Sequence, residues 1–173
     1  MKQEQNLNTN PQTRACRLYV MVGAPGSGKS TWAKKHLLDP NTTKYISRDE
    51  VRFSLLGPND GYFSKEKEVW KVFMDLVQHA VNKENRDVII DASHLDKWSR
   101  RKLTNALDDA LTRPWEIYYI VMYTDYYECL RRNDQRTGRA KVPHEVIAEM
   151  FEKCTTPRMS EHHNIKGVWR IEE

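Results

Sequence analysis

Gly23-Ala24-Pro25-Gly26-Ser27-Gly28-Lys29-Ser30-Thr31 is a complete G-x-x-x-x-G-K-[ST] loop, and the residues on either side of it decide the fold. Leu18–Val22 in front is a β-rich apolar run, and Ser30–Leu38 behind has helical spacing. The glycines let the backbone curl until successive N–H groups point at phosphate oxygens, where a Cβ would block the anion. Lys29 supplies a charge near the β- and γ-phosphates, Ser30 offers its hydroxyl to a magnesium ion, and the helix starting there aims its positive end at the same anion. A glycine-rich turn without a ligand is the plain alternative, and the strand-loop-helix setting argues against it.

Outward from the loop, strands and helices alternate. Thr43–Ser47 reads as a second strand, Asp49–Leu56 as a short helix, and Gly57–Gly61 as an exposed loop. A longer helix starts near Ser64, with Val69, Phe73, Leu76, Val77 and Ala80 at core-facing spacing. Asp87–Asp91 is a brief apolar run ending in a carboxylate, as in a buried parallel strand. Asp96 caps a helix from Lys97 to about Leu111, Trp115–Tyr123 is a strand, and helices follow over Asp125–Arg132 and Pro143–Phe151. Val168–Ile171 is the last strand. Strands separated by helices require right-handed parallel crossovers, so the expected fold is a three-layer α/β/α domain with a mainly parallel sheet of about five strands.

The 173 residues make one domain, over 16–173, with residues 1–15 as a polar, disordered tail rich in Asn and Gln. Cys16, Cys129 and Cys154 are far apart and lack a C-x-x-C, which argues against a disulfide framework or zinc site and for buried reduced thiols. With no long apolar run and no leader pattern, the chain is expected in the cytoplasm and off the membrane. A net charge of +4 permits an anionic partner without requiring one.

In open parallel sheets ligands lie beyond the carboxyl ends of the strands. After the second strand comes Arg48-Asp49-Glu50-Val51-Arg52, which places Asp49 and Arg52 on one helical face. Asp49 is either a base for an attacking hydroxyl or a helix cap; Arg52 either holds an acceptor phosphate or is solvated. Asp91, at the end of the third strand, either orients magnesium or substrate or accepts turn N–H groups. His94 reads as a turn residue. Asn133–Lys141, with Arg136, Arg139 and Lys141 around one glycine, reads as a basic lid able to stabilise a transferring phosphoryl and exclude water, or as a solvated loop. Tyr62, Phe63 and Trp70 with Lys65, Lys67 and Lys71 either stack a base or mark a helix with one buried face. His162 and His163 bind a metal only if other ligands converge on them.

Taken together, the loop at Gly23–Ala33, Ser47–Arg52, Asp91–Leu95 and Arg131–Pro143 resemble, in order and spacing over about residues 17–153, the kinase domain of phage polynucleotide 5′-hydroxyl kinases. That resemblance implies a P-loop kinase domain using ATP and Mg2+, with a nucleic-acid 5′-hydroxyl end as substrate. It implies Asp49 as general base, Arg52 on the acceptor's 3′-phosphate, Asp91 on the acceptor side and Arg136 on the transferring phosphate. Gly23, Ala24, Pro25, Gly26, Ser27, Gly28, Lys29, Ser30, Thr31, Arg132 and Arg136 would hold the nucleotide, with Ser30 on the metal. The lid is about one residue longer than the family pattern, which puts Arg139 beside Arg136 as the catalytic or substrate-binding arginine. No segment resembles the phage phosphatase domain. The same scaffold also suits a kinase of nucleosides or other small alcohols, and a nucleotide-dependent switch.

Overall fold

Strand and helix alternate along the chain in the computed structural model, which describes residues 14–172. The elements are β1 (Cys16–Val22), α1 (Lys29–His36), β2 (Thr43–Ser47), α2 (Arg48–Leu55), α3 (Glu66–Asn82), β3 (Asp87–Asp91), α4 (Lys97–Ala110), β4 (Trp115–Tyr123), α5 (Tyr126–Asp134), α6 (His144–Lys153) and β5 (Ile165–Glu172). The sheet order is β2-β3-β1-β4-β5, and every neighbouring pair is parallel. This is the expected three-layer α/β/α arrangement.

Both faces of the central strands are covered, so their side chains are apolar on both sides instead of alternating. Leu18, Val20 and Val22 pack with Phe73 and Val77 of α3 and Leu103 and Leu107 of α4. Met21, Ile89 and Ile120 face the other way, where Ala33 and Trp32 of α1 cover them. β3 is buried along its whole length.

The boundaries shift for physical reasons. β5 starts three residues before the expected Val168, because Gly167 interrupts the apolar pattern without ending the strand. The register jumps there, from Ile117↔Ile165 to Tyr118↔Gly167, and a Cβ on Gly167 would lie 3.0 Å from Cδ1 of Tyr118. α3 starts at Glu66 because the Ser64 hydroxyl closes a turn onto the Gly61 carbonyl. Asp125 caps α5, accepting from the Tyr127 and Glu128 amides, and does not belong to it.

Of the expected tail, residues 1–13 lie outside the described residues, while Arg14 pairs with Asp87 at 3.0 Å. Cys16 and Cys129 are buried free thiols; Cys154 is exposed, because it follows α6 on the surface, which corrects the expectation for it. Among the described residues no helix is long and apolar enough to cross a membrane.

Candidate functional site

β1 ends under its loop, and the loop's shape is set by contacts a side chain would break. Gly26 and Gly28 adopt φ of 83° and 84°, in the left-handed region that favours glycine. A Cβ on Gly26 would also meet the Cys129 carbonyl oxygen at 2.4 Å. The Gly23 amide donates to the Ser93 carbonyl, the Ser27 amide to the Ala24 carbonyl, and the Thr124 hydroxyl to the Ser27 carbonyl. The loop is therefore tied to β3's outgoing turn and to the residue after β4. Lys29 and Ser30 open α1. Arg132 of α5 binds Glu128 at 2.6 Å and reaches the Gly26 carbonyl at 3.5 Å, so it borders the loop.

Asp91 ends β3, opposite Ser47 of β2. Its Oδ2 accepts from the Tyr45 hydroxyl, and burial followed by that bond pushes the Tyr45 phenol well above its usual range. Its Oδ1 is buried without a hydrogen-bond partner among the described residues. Ser30 adjoins the same tyrosine hydroxyl. A carboxylate oxygen with an unused lone pair and a serine hydroxyl are hard oxygen donors, so these residues fit a magnesium ion and its water shell.

Ser47, not Asp49, caps α2: its hydroxyl accepts from the Glu50 amide at 3.3 Å. That disposes of the cap reading for Asp49, whose side chain is 59% exposed. Its Oδ1 accepts from Arg52 and, at 2.9 Å, from the Tyr62 hydroxyl. Arg52 itself is buried, its Nε and Nη2 bound to Glu66 at 2.9 and 2.8 Å and its Nη1 donating to Tyr62 at 3.0 Å. The Tyr62 ring stacks on the guanidinium at 4.5 Å, and burial followed by the Asp49 charge pushes its phenol up to about 12. Glu66 also binds Arg48 at 2.7 Å. The solvated-arginine reading thus fails for Arg52, yet every nitrogen of the guanidinium already has a protein partner.

The lid is pinned at its base. Asn133 is buried and exchanges two hydrogen bonds with the backbone of Val142, at 2.8 and 3.0 Å. Between them Arg136 is exposed, and among the described residues its guanidinium bonds the Ala140 carbonyl alone, at 3.5 Å. Arg139 crosses to the loop between α2 and α3, where its Nη2 donates to the carbonyls of Gly57, Pro58 and Asp60 at 2.7, 2.9 and 3.2 Å. Of the two lid arginines, Arg136 is held by one long hydrogen bond within the lid and Arg139 makes the crossing.

His94 does lie in the turn after β3, and that turn buries it. It is buried at φ 44°, its Nδ1–H donating to the Met21 carbonyl at 3.2 Å, and burial lowers its pKa to about 4. Arg100, which the sequence did not single out, is also buried; it binds Glu161 and the carbonyls of His94, Leu95 and Thr155, fixing the turn after Asp91. Lys65 and Lys71 are engaged by Asp60 and Asp75, while Trp70 stacks with Arg48 and Lys102. His162 and His163 do converge with Asp108. However, the His162 Nε2–H donates to Asp108 at 2.9 Å, its Nδ1 accepts from the Asn164 amide at 3.2 Å, and its ring stacks on Trp115. Both ring nitrogens are used in fastening β5's approach to α4.

The profile of a family described as an AAA domain matches residues 18–157. The chain is 31% identical over 150 residues to an L-seryl-tRNA(Sec) kinase of Methanococcus maripaludis, covering 81% of this chain and 53% of that protein, so it spans about half the relative's length. It superposes on a chain of the Pnkp1/Rnl/Hen1 RNA repair complex with a TM-score of 0.68 and 25% identity, covering 87% of this chain and 46% of that one. A fungal RNA kinase shares the fold at a TM-score of 0.60 and 15% identity, covering 92% and 75% of the two chains. The chain belongs to the AAA domain family.

Proposed function

From that family membership as premise, we propose that the protein transfers the γ-phosphoryl group of ATP to the 5′-hydroxyl of a nucleic-acid end, in the manner of the phage-type polynucleotide kinases. The observation that carries the reading is Asp49: a carboxylate just beyond β2, released from capping by Ser47 and oriented by Arg52 and Tyr62. A nucleotide switch has no use for an oriented base there.

The glycine loop and Lys29 would hold the β- and γ-phosphates, with Arg132 beside the loop. Ser30 directly, and Asp91 through its free Oδ1, would hold the magnesium, which offsets phosphate charge when bound. Asp49 takes the proton of the 5′-hydroxyl as its oxygen bonds to the γ-phosphorus. The bond from that phosphorus to the β–γ bridging oxygen breaks, and ADP leaves with the electron pair. Arg136, swinging in from the lid, would stabilise the equatorial oxygens.

Asp49→Asn is expected to lower transfer of labelled phosphate to a 5′-hydroxyl oligonucleotide by roughly 10²–10⁴-fold, with ATP binding unchanged. Robust labelling by the variant removes Asp49 as base.

One observation favours a second reading, a nucleoside or small alcohol as acceptor: every nitrogen of the Arg52 guanidinium is already engaged by Asp49, Tyr62 or Glu66, so it cannot offer a 3′-phosphate a bidentate edge without giving up a protein partner. Free nucleosides, 3′-phosphorylated nucleosides and oligonucleotides compared as acceptors separate the two, and preference for the unphosphorylated nucleoside selects the second.

A further inference from the structure

An unbroken line of contacts leaves the site at Arg52 and ends on an exposed indole. Glu66 joins Arg52 to Arg48. The Arg48 guanidinium lies 5.4 Å from the centre of the Trp70 ring. On the same ring, Lys102 Nζ sits at 4.5 Å, and it is also 5.6 Å from the ring of Trp98. Trp98 and Lys102 are one turn apart on α4 and so share a helix face. Trp98 is 72% exposed.

A lone exposed apolar side chain is ordinary. Here the exposed indole is instead the outer step of an alternating series: cation, ring, cation, ring. The first turn of α4 carries no acidic residue beyond its cap, Asp96, whose carboxylate is engaged by the Ser99 amide. Lys97, next to Trp98, lines a cleft of about 520 Å³ with Arg158, Thr155, Thr156, Ser160 and Glu161, whose carboxylate is paired with the buried Arg100. α4 starts six residues beyond Asp91, so the series lies on the helices that leave the carboxyl edge, where the glycine loop also sits.

Aromatic faces interleaved with cations suit single-stranded nucleic acid, whose unpaired bases can stack while its phosphates meet the charges. A duplex keeps its base faces to itself, and a small alcohol is too short to reach from Asp49 to Trp98. We propose that Trp98, Lys102 and Trp70 form a track for the single strand downstream of the reacting 5′ end, with Trp98 stacking an unpaired base and Lys102 contacting backbone phosphate. The track deepens the kinase reading and rests on it for the direction of the strand.

The test measures binding and turnover separately. A ten-nucleotide 5′-hydroxyl single strand, DNA in one arm and RNA in the other, is dye-labelled at its 3′ end and titrated by anisotropy with ADP present. Trp98→Ala is expected to weaken binding in both arms by roughly 5- to 150-fold. Trp98→Phe should recover most of the loss, and Lys102→Ala should weaken binding several-fold and flatten its salt dependence. In turnover, Trp98→Ala should raise KM for the ten-mer, leaving kcat and the KM of a 3′-phosphorylated mononucleotide unchanged. Binding by Trp98→Ala within twofold of wild type, tighter binding of duplex than single strand, or no binding by the wild type overturns the track, even if phosphorylation proceeds. Trp98-dependent binding without phosphorylation keeps the track and overturns the kinase reading instead.

Discussion

His94 shows how one buried group makes stability depend on pH. It is buried, near the Arg48 and Arg100 charges, with Asp91 opposing them, and burial holds its pKa at about 4 against an ordinary 6.5. The folded protein therefore keeps the ring neutral, donating from Nδ1 to the Met21 carbonyl, over a range in which the unfolded chain binds a proton. Its contribution is constant above about pH 7 and is lost as pH falls from 6.5 towards 4, amounting to about 2 kcal/mol at pH 5. His94→Asn tolerates the positive φ without a group titrating there. Urea unfolding at pH 7.5 and pH 5 should show the wild type losing about 2 kcal/mol more than the variant over that interval. Equal losses would place the proton elsewhere.

At the scale of elements, the lid and the loop between α2 and α3 meet through one side chain. The three carbonyls that Arg139 binds belong to a loop already closed by Asp60, whose carboxylate accepts from the Gly57 amide at 2.7 Å and binds Lys65 at 3.0 Å. Because that loop leads from α2, which carries Asp49, to Tyr62, which binds it, the positions of the lid and of Asp49 are mechanically joined. Arg139→Ala should speed amide hydrogen exchange over residues 57–61 and in the lid, while β1 and β3 stay as protected as in the wild type. Unchanged exchange at 57–61 would show that Asp60 suffices.

These joints also explain what the sequence conveyed. The glycine loop and the strand-helix alternation are legible because each depends on neighbours in the chain. Glu66 was not: it acts on Arg52 from 14 residues away, on another helix. Tyr45 meets Asp91 across 46 residues, and Arg100 meets Glu161 across 61. No local pattern marks a side chain whose role is set by a partner so distant. The lysines flanking Trp70 left two readings open for the converse reason: acidic partners engage Lys65 and Lys71, while the ring's own cations come from α2 and α4.

Across the whole molecule, the sheet order puts the site where chain directions part. From β1 the chain crosses to β2 by α1 on one face, then returns through α3 and α4 on the other, reaching β3 and β4 on either side of β1. The crevice at β1's carboxyl end is therefore walled by pieces distant in sequence, and a ligand there stabilises the complete fold. A nucleotide at 100 times its Kd should add about 2.7 kcal/mol, which for a chain of this size raises Tm by roughly 5–11 °C. Gly26→Ala tests whether the loop is the seat. Its Cβ would press on the Cys129 carbonyl at 2.4 Å and hold alanine at φ 83°, so either the loop or α5 must move. The variant is expected to melt lower than wild type without ligand and to lose the ADP-dependent shift. A full shift in Gly26→Ala would mean that the nucleotide is held by something other than this loop, since a loop distorted by that contact cannot keep all its amides on the phosphates.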